Sequence, residues 1–488
     1  MNKPIRTMSV FCLLLFVALL LNSTYLQYLQ ADELNNRNDN KRVRDAEFSR
    51  QRGAILVAGR PIAESRPVDD QYEYLRGYPE PLKYAHLTGY YSYIYGRNAV
   101  ELTENDILSG NDPRLFVNRV ADLIGNSQPK GGSVTLTVDP KAQTAAYDGL
   151  AALGRNTKGA VVALEPATGK VLAMVSRPSY DPNVLSSHDF SAIQDAWKRL
   201  QANPNQPMQN RAIQEVYAPG STFKVVTAAA ALSSGQFTPE SMVKGGATLD
   251  LPQTTNDLPN EAGLDCGTGR IPLTQALENS CNTSFGWLGL KLGDDVIREQ
   301  AQKFGWGSSY FDDLNGQVPS RFPQAPDEPE TAYSAIGQFD VAASPLQMAM
   351  VVAGIANGGT LMRPYLVDEV RAPDLSVLEK ADPEPFRSNA VSSAVARDLT
   401  QMMIEVVDRG TGRSAQIPGI KVAGKTGTAQ RGPEQAPYAW FISFAPADDP
   451  QVAVAVFVDD PSVPRGEISG SGLAAPIAKA VMEAVINR

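Results

Sequence analysis

Histidine is nearly absent: His86 and His188 are the only two in 488 residues. A multi-histidine metal site cannot be built from them, and a Ser-His-Asp triad is a poor expectation. The three cysteines, Cys12, Cys266 and Cys281, show no C-x-x-C spacing, which excludes zinc ribbons and most iron–sulfur sites. Basic residues are outnumbered, 44 Lys and Arg against 53 Asp and Glu, for a net charge of −9. That is the wrong sign for a protein that coats phosphates, so no nucleic-acid partner is expected. No metal or cofactor is expected either, and the chemistry has to run on other groups. What is abundant is ordinary core material: 43% hydrophobic residues with 17 Tyr and 16 Phe, in a chain long enough for two or three domains.

Between Arg6 and Asp32 lie 25 residues without a charge, opening on the apolar run Met8 to Leu21 and closing on Tyr25, Tyr28 and Leu29. A bilayer needs about 20 such residues. Lys3 and Arg6 precede the run, so the positive-inside tendency predicts a cytoplasmic tail over 1–6, a single-pass membrane anchor over 7–29 and everything beyond on the outer side. A cleaved signal peptide is the alternative; no A-x-A-like site follows the run, which favours the anchor. Residues 33–52 are polar and charged and read as a solvated connector.

The stretch 30–130 mixes many tyrosines with short apolar pieces and predicts a small, non-catalytic α+β domain. From about 131 the signals sharpen. Val134–Val138 alternates as a strand, and Asp139-Pro140 opens a helix that runs to Leu153. Gly159–Leu164 and Val171–Val175 flank Ala167-Thr-Gly-Lys170 as a hairpin. Trp440–Phe444 and Val452–Val458 are two further strands, and a helix over about 474–486 closes the chain. Strands at both ends around a helical middle predict an α+β unit over 131–488, an antiparallel sheet assembled from remote segments and flanked by helices.

Gly419-Ile-Lys-Val-Ala-Gly424-Lys425-Thr426 matches a phosphate-binding loop literally. Its interior is strand-like, and helix breakers follow where that motif requires a helix. The same residues belong to another pattern. Pro219-Gly220 places Ser221 at a helix start, and Ser221 and Lys224, three apart, share one helical face. An unassisted serine is a poor nucleophile, and with no usable histidine the adjacent amine is the available base. Lys224 can act only as a neutral amine, a state that burial and a second cation such as Lys425 promote. Between them lies Ser280-Cys281-Asn282, and Lys425-Thr426-Gly427-Thr428 follows.

Ser-x-x-Lys, Ser-x-Asn and Lys-Thr-Gly in this order are the set found in penicillin-binding proteins and class A β-lactamases. Glu165–Val175, Ala335–Asp340, Ser344–Ala349, Ile355–Gly359 and Gly472–Pro476 also resemble the monofunctional, class B penicillin-binding proteins, in particular the actinobacterial penicillin-binding protein A group. The resemblance covers about 131–488, and the N-terminal region more loosely. It implies a serine β-lactamase/transpeptidase-like fold and a D,D-transpeptidase that cross-links peptidoglycan stem peptides and is acylated by β-lactams. By resemblance, Ser221 is the nucleophile, Lys224 its base and Ser280 the proton relay to the leaving amine. Asn282 holds the substrate's side amide, while Lys425, Thr426, Gly427 and Thr428 bind its terminal carboxylate, with Thr428 and Ser221 amides forming the oxyanion site. Cell-wall or division proteins are the partners implied.

A bridge between Cys266 and Cys281 would close a loop of 15 residues, worth about 3 kcal/mol in the chain-entropy model, and would pin the Ser280 segment. Two separately buried thiols are the alternative. Three rival functions remain: a D,D-carboxypeptidase, a β-lactamase-like hydrolase, and a non-catalytic division scaffold. A β-lactamase of the first class needs a deacylating Glu in an E-x-x-x-N pattern after Ser-x-Asn, which is not seen, and a scaffold has no need of intact Ser221, Lys224 and Lys425. The region before 131 is too short for a glycosyltransferase domain.

Overall fold

The computed structural model describes residues 3–30, 41–116, 125, 129–155, 157–432, 435–460 and 462–487. At the N-terminus a helix over Lys3–Thr24 continues to Leu29. These 27 residues are long and apolar enough to cross a membrane, and none of the helix is buried by the rest of the protein.

The first layer is a six-stranded sheet in which Ile55–Val57 lies parallel to Ser133–Leu136 and antiparallel to Arg60–Pro67. Tyr74–Gly77 forms one edge, and Val367–Arg371 with Val377–Lys380 the other. The strand expected to open the second unit, just after 131, thus sits inside the first sheet, with two strands recruited from more than 200 residues downstream. The solvated connector expected over 33–52 is corrected over its described part. Lys41–Phe48 is helical, with Phe48 stacked on Tyr91 at 4.2 Å. Arg52 is buried against Glu101, whose carboxylate also takes the Arg76 guanidinium, at 2.6 Å in both cases. Residues 33–40 lie outside the described residues.

The second layer is a five-stranded antiparallel sheet. Its order is Ala423–Ala429, Tyr438–Ala445, Val452–Asp459, Lys158–Leu164, Val171–Arg177. Helices cover both faces, which is why its central strands read as nearly unbroken apolar runs instead of alternating ones. Val452, Val454, Val456 and Val458 pack with Pro140–Leu153 and the C-terminal helix Ala475–Ile486. Ala453, Ala455 and Phe457 face the other way, toward the helix Pro345–Ala356, apolar throughout except for Gln347. Asp139 starts the Pro140 helix by accepting from the amides of Lys141 and Ala142 at 2.8 and 2.9 Å. The phosphate-loop match resolves as the edge strand Ala423–Ala429, paired along its length with Tyr438–Ala445 and not followed by a helix.

Removing Glu101 leaves Arg52 and Arg76 buried without their shared counter-charge. Glu101→Ala should cost about 3–5 kcal/mol, measured as a fall in the urea midpoint of the N-terminal layer.

Candidate active site

Ser221 stands on a tight turn. Gly220–Phe223 is a 3-10 turn that runs directly into the helix Lys224–Ser233, so Ser221 and Lys224 eclipse one another on the same face. Gly220 has φ +53°, and a side chain there would meet the Thr428 carbonyl at 2.8 Å. Its amide donates to Gly337 O at 2.9 Å. Gly337, at φ +75°, would drive a Cβ to 2.2 Å from Gly220 O. Two glycines thus let three backbone segments close around Ser221, which is only 7% exposed. Trp440 ties the preceding loop down by donating from Nε1 to Ala218 O at 3.0 Å.

Lys224 is fully buried and points at the Ser-x-Asn turn. Its Nζ donates to Ser280 O at 2.6 Å and Asn282 Oδ1 at 2.7 Å, with Ser280 Oγ at 3.4 Å. Ser280 presents these groups from a left-handed conformation, φ +59°, between the helices Leu273–Glu278 and Asn282–Leu292. From the opposite side Lys425, also fully buried, donates to Ser280 Oγ at 2.8 Å and Thr426 O at 3.0 Å. One hydroxyl therefore lies between two lysine nitrogens. Burial first, and the neighbouring Lys425 second, push the Lys224 proton affinity well below the usual lysine value, with Glu261 opposing. Burial lowers Lys425 to about 7, again against Glu261. Both effects move the pair toward the neutral amine that a base requires.

Lys425, Thr426, Gly427 and Thr428 are consecutive on the edge strand, which has a partner on one side and the Ser221 turn on the other. Gly427 is compressed there: a Cβ would meet Thr222 Cγ2 at 2.8 Å and Pro219 O at 3.0 Å. Thr426 Oγ1 is 2.6 Å from Thr411 Oγ1. Cys266 and Cys281 form a disulfide with Cα atoms 6.1 Å apart. It fastens the loop before Ser280 to the Ser-x-Asn turn, reinforced by Asn282 Nδ2 donating to Pro259 O at 2.9 Å.

The structure thus brings Lys224, Ser280, Asn282, Lys425 and Thr426 into one hydrogen-bonded set beside Ser221, with Gly427 and Thr428 continuing the strand. Sequence reasoning missed Thr411, Gly337 and Glu261. The glycine-rich Arg409-Gly-Thr-Gly-Arg413 break after a helix was the available signal for Thr411; an isolated Glu in a loop offers none. Neither histidine takes part: His86 Nε2 is 2.9 Å from Pro207 O, its ring lowered to about 4 by burial, and His188 pairs with Asp70. Among the described residues no group of three or more His, Cys, Asp or Glu side chains could hold a metal.

Lys425 sits at about 7 when folded against 10.5 for an unperturbed lysine. Below about pH 7 folded and unfolded chains both carry its proton, and the cost of burying the charge is fully present. Between about 7 and 10.5 only the unfolded chain carries it, so stability rises with pH across that window. Lys425→Met removes this dependence. Melting temperatures taken from about pH 6 to 10 should show the parent gaining on the variant as pH rises; parallel curves would count against a neutralised Lys425.

Residues 159–483 match the penicillin-binding protein transpeptidase domain model, and residues 52–134 match the penicillin-binding protein A dimerisation domain model. The chain is 43% identical to the peptidoglycan D,D-transpeptidase PbpA of Mycolicibacterium smegmatis over 497 residues, covering 100% of this chain and 99% of that protein. It is 43% identical over 492 residues to the protein of the same name from Mycobacterium tuberculosis, with the same two coverages. The penicillin G acyl-enzyme structure of penicillin-binding protein A from M. tuberculosis aligns with a TM-score of 0.84 at 44% identity, over 90% of this chain and 100% of that one. With the transpeptidase model spanning most of the chain and a relative matched end to end, the chain belongs to the class B penicillin-binding proteins.

Proposed function

We propose that the protein is a peptidoglycan D,D-transpeptidase working through an acyl-enzyme on Ser221. The observation that carries this reading is the Ser280 hydroxyl held at 2.8 Å from Lys425 Nζ and 3.4 Å from Lys224 Nζ, beside a serine on the same helical face as Lys224. Lys224 takes the Ser221 proton as Oγ attacks the carbonyl of the penultimate D-Ala. The oxyanion forms between the amides of Ser221 and Thr428, donors of a kind worth about 2.7–4 kcal/mol each. The closeness of Thr428 to Gly220 supports that pairing. The proton passes through Ser280 to the departing D-Ala nitrogen as the C–N bond breaks. Lys425, with the Thr426 and Thr428 hydroxyls, holds the terminal carboxylate, and Asn282 holds the substrate's side amide. Penicillin-binding protein A of M. tuberculosis forms an acyl-enzyme complex with penicillin G, and a β-lactam acylates Ser221 here by the same attack on its ring carbonyl.

In this reading residues 1–6 are cytoplasmic, 7–29 anchor the chain, 30–130 form a non-catalytic unit that docks cell-wall or division proteins, and 131–488 carry the chemistry outside the membrane. Lys3 and Arg6 before the apolar helix support that orientation. So does the Cys266–Cys281 bridge, a bond that persists in oxidising compartments.

Intact mass after mixing the soluble part with penicillin G should rise by one drug mass and stay there, and Ser221→Ala should show no change. Lys224→Ala should slow adduct formation by about 10²- to 10⁴-fold, the usual worth of a positioned base. Drug consumption without a lasting adduct would mean hydrolysis instead.

A further inference from the structure

The acyl-enzyme has to be resolved by an amine from a second stem peptide, and at neutral pH that amine arrives as a cation. Its path ends beside Ser280, where the first D-Ala nitrogen left. Lys425, at about 7, still carries its proton in about half of the molecules at neutral pH, and that charge repels an ammonium and favours uncharged water. A negative group near that point offsets the repulsion.

One carboxylate lies near the lysine pair. Glu261 begins the short turn Glu261–Gly263, just after the strand Asp257–Pro259. On its N-terminal side Pro259 O accepts from Asn282 Nδ2 at 2.9 Å, and Asn260 Oδ1 accepts from the Thr283 amide at 3.0 Å. On its C-terminal side Asn260 Nδ2 holds Leu264 O at 2.8 Å, and Cys266 is bonded to Cys281. Both flanks of Glu261 are thereby fastened to Cys281, Asn282 and Thr283, and Asn282 Oδ1 itself accepts from Lys224 Nζ at 2.7 Å. Glu261 is exposed, and no cation among the described residues forms an ion pair with it. Its field reaches both Lys224 and Lys425.

That placement does not serve acylation. A negative charge near Lys224 holds the proton that the base has to lose, and it repels the donor's terminal carboxylate. We propose that Glu261 is a specificity-determining residue for the second half-reaction, drawing a cationic primary amine to the Ser280 side of the acyl-enzyme in preference to water. This rests on the transpeptidase reading above. In the step it serves, the acceptor ammonium releases one proton to solvent and its nitrogen bonds the acyl carbon. The bond from that carbon to Ser221 Oγ breaks, and the second amine proton returns through Ser280 and Lys224 to Ser221.

The test is the partition of one acyl-enzyme between two nucleophiles. The full chain is supplied with an N-acyl-D-alanyl thioester as donor and D-alaninamide, a cationic amine without a carboxylate, as acceptor; amide and free acid products are counted. Glu261→Gln should lower the amide-to-acid ratio about tenfold, the scale of one charge acting across a partly solvated gap of several ångströms. Penicillin acylation and thioester turnover without acceptor should not fall, since Glu261 opposes the loss of the Lys224 proton, and Glu261→Asp should keep most of the ratio. Asp250, on the hairpin that precedes Glu261 and not among the charges acting on either lysine, provides the control, and Asp250→Asn should leave the ratio unchanged. An unchanged ratio in Glu261→Gln overturns the proposal. So does an equal loss in Asp250→Asn, or a parallel fall of both products, which marks a merely structural role. A parent that forms no Ser221 adduct at all would instead overturn the transpeptidase reading, and that result is visible separately in the mass spectrum.

Discussion

Everything at the site depends on holding two lysine side chains, fully buried, on either side of one serine hydroxyl. Burying even one unpaired ammonium costs several kcal/mol, and a like charge nearby adds to it. The protein meets that cost by letting the lysines lose proton affinity and by giving their hydrogens fixed acceptors: Ser280 O, Asn282 Oδ1 and Thr426 O. A weakly held proton on Lys224 is what catalysis by a serine without histidine demands. The instability and the chemistry are the same feature.

Such an arrangement persists only where the surrounding structure over-determines it. The three contributing segments are remote in sequence, and each is anchored separately. The Ser221 turn is locked by Gly220 against Gly337 and by Trp440 against Ala218. The edge strand rests on a sheet whose both faces are covered by helices. The left-handed Ser280 turn is tied by the Cys266–Cys281 bridge and by the bonds from Asn282 and Thr283 to Pro259 and Asn260. Those last bonds also carry Glu261 to the rim, so the device that stiffens the Ser280 turn also sets the charge that, in the proposal above, the acceptor meets.

What could be read from the sequence was local. The hairpin around Ala167–Lys170, the valine strand Val452–Asp459 and the C-terminal helix carry their own period or turn chemistry, and they form as expected. The three motifs were legible because each is contiguous. Pairing between distant segments has no such signature. The recruitment of Val367–Arg371 and Val377–Lys380 into the N-terminal sheet, and the entry of Ser133–Leu136 beside Ile55–Val57, depend on contacts that no window of residues contains. Arg52 looked like part of a solvated run because its counter-ion, Glu101, lies 49 positions away. Cys266 and Cys281 allowed both a bridge and two thiols until their Cα atoms were placed 6.1 Å apart.

The central claim is that Lys224 is an amine of lowered proton affinity because of where it is buried. The most direct measurement is the second-order rate of Ser221 acylation by a penicillin as a function of pH. With a depressed Lys224 the rate should rise and level off well below 10.5, the ordinary lysine value, and Lys425→Met should move that rise to higher pH by removing a like charge. A parent rate still climbing toward 10.5, or a limb that Lys425→Met leaves in place, would contradict the account.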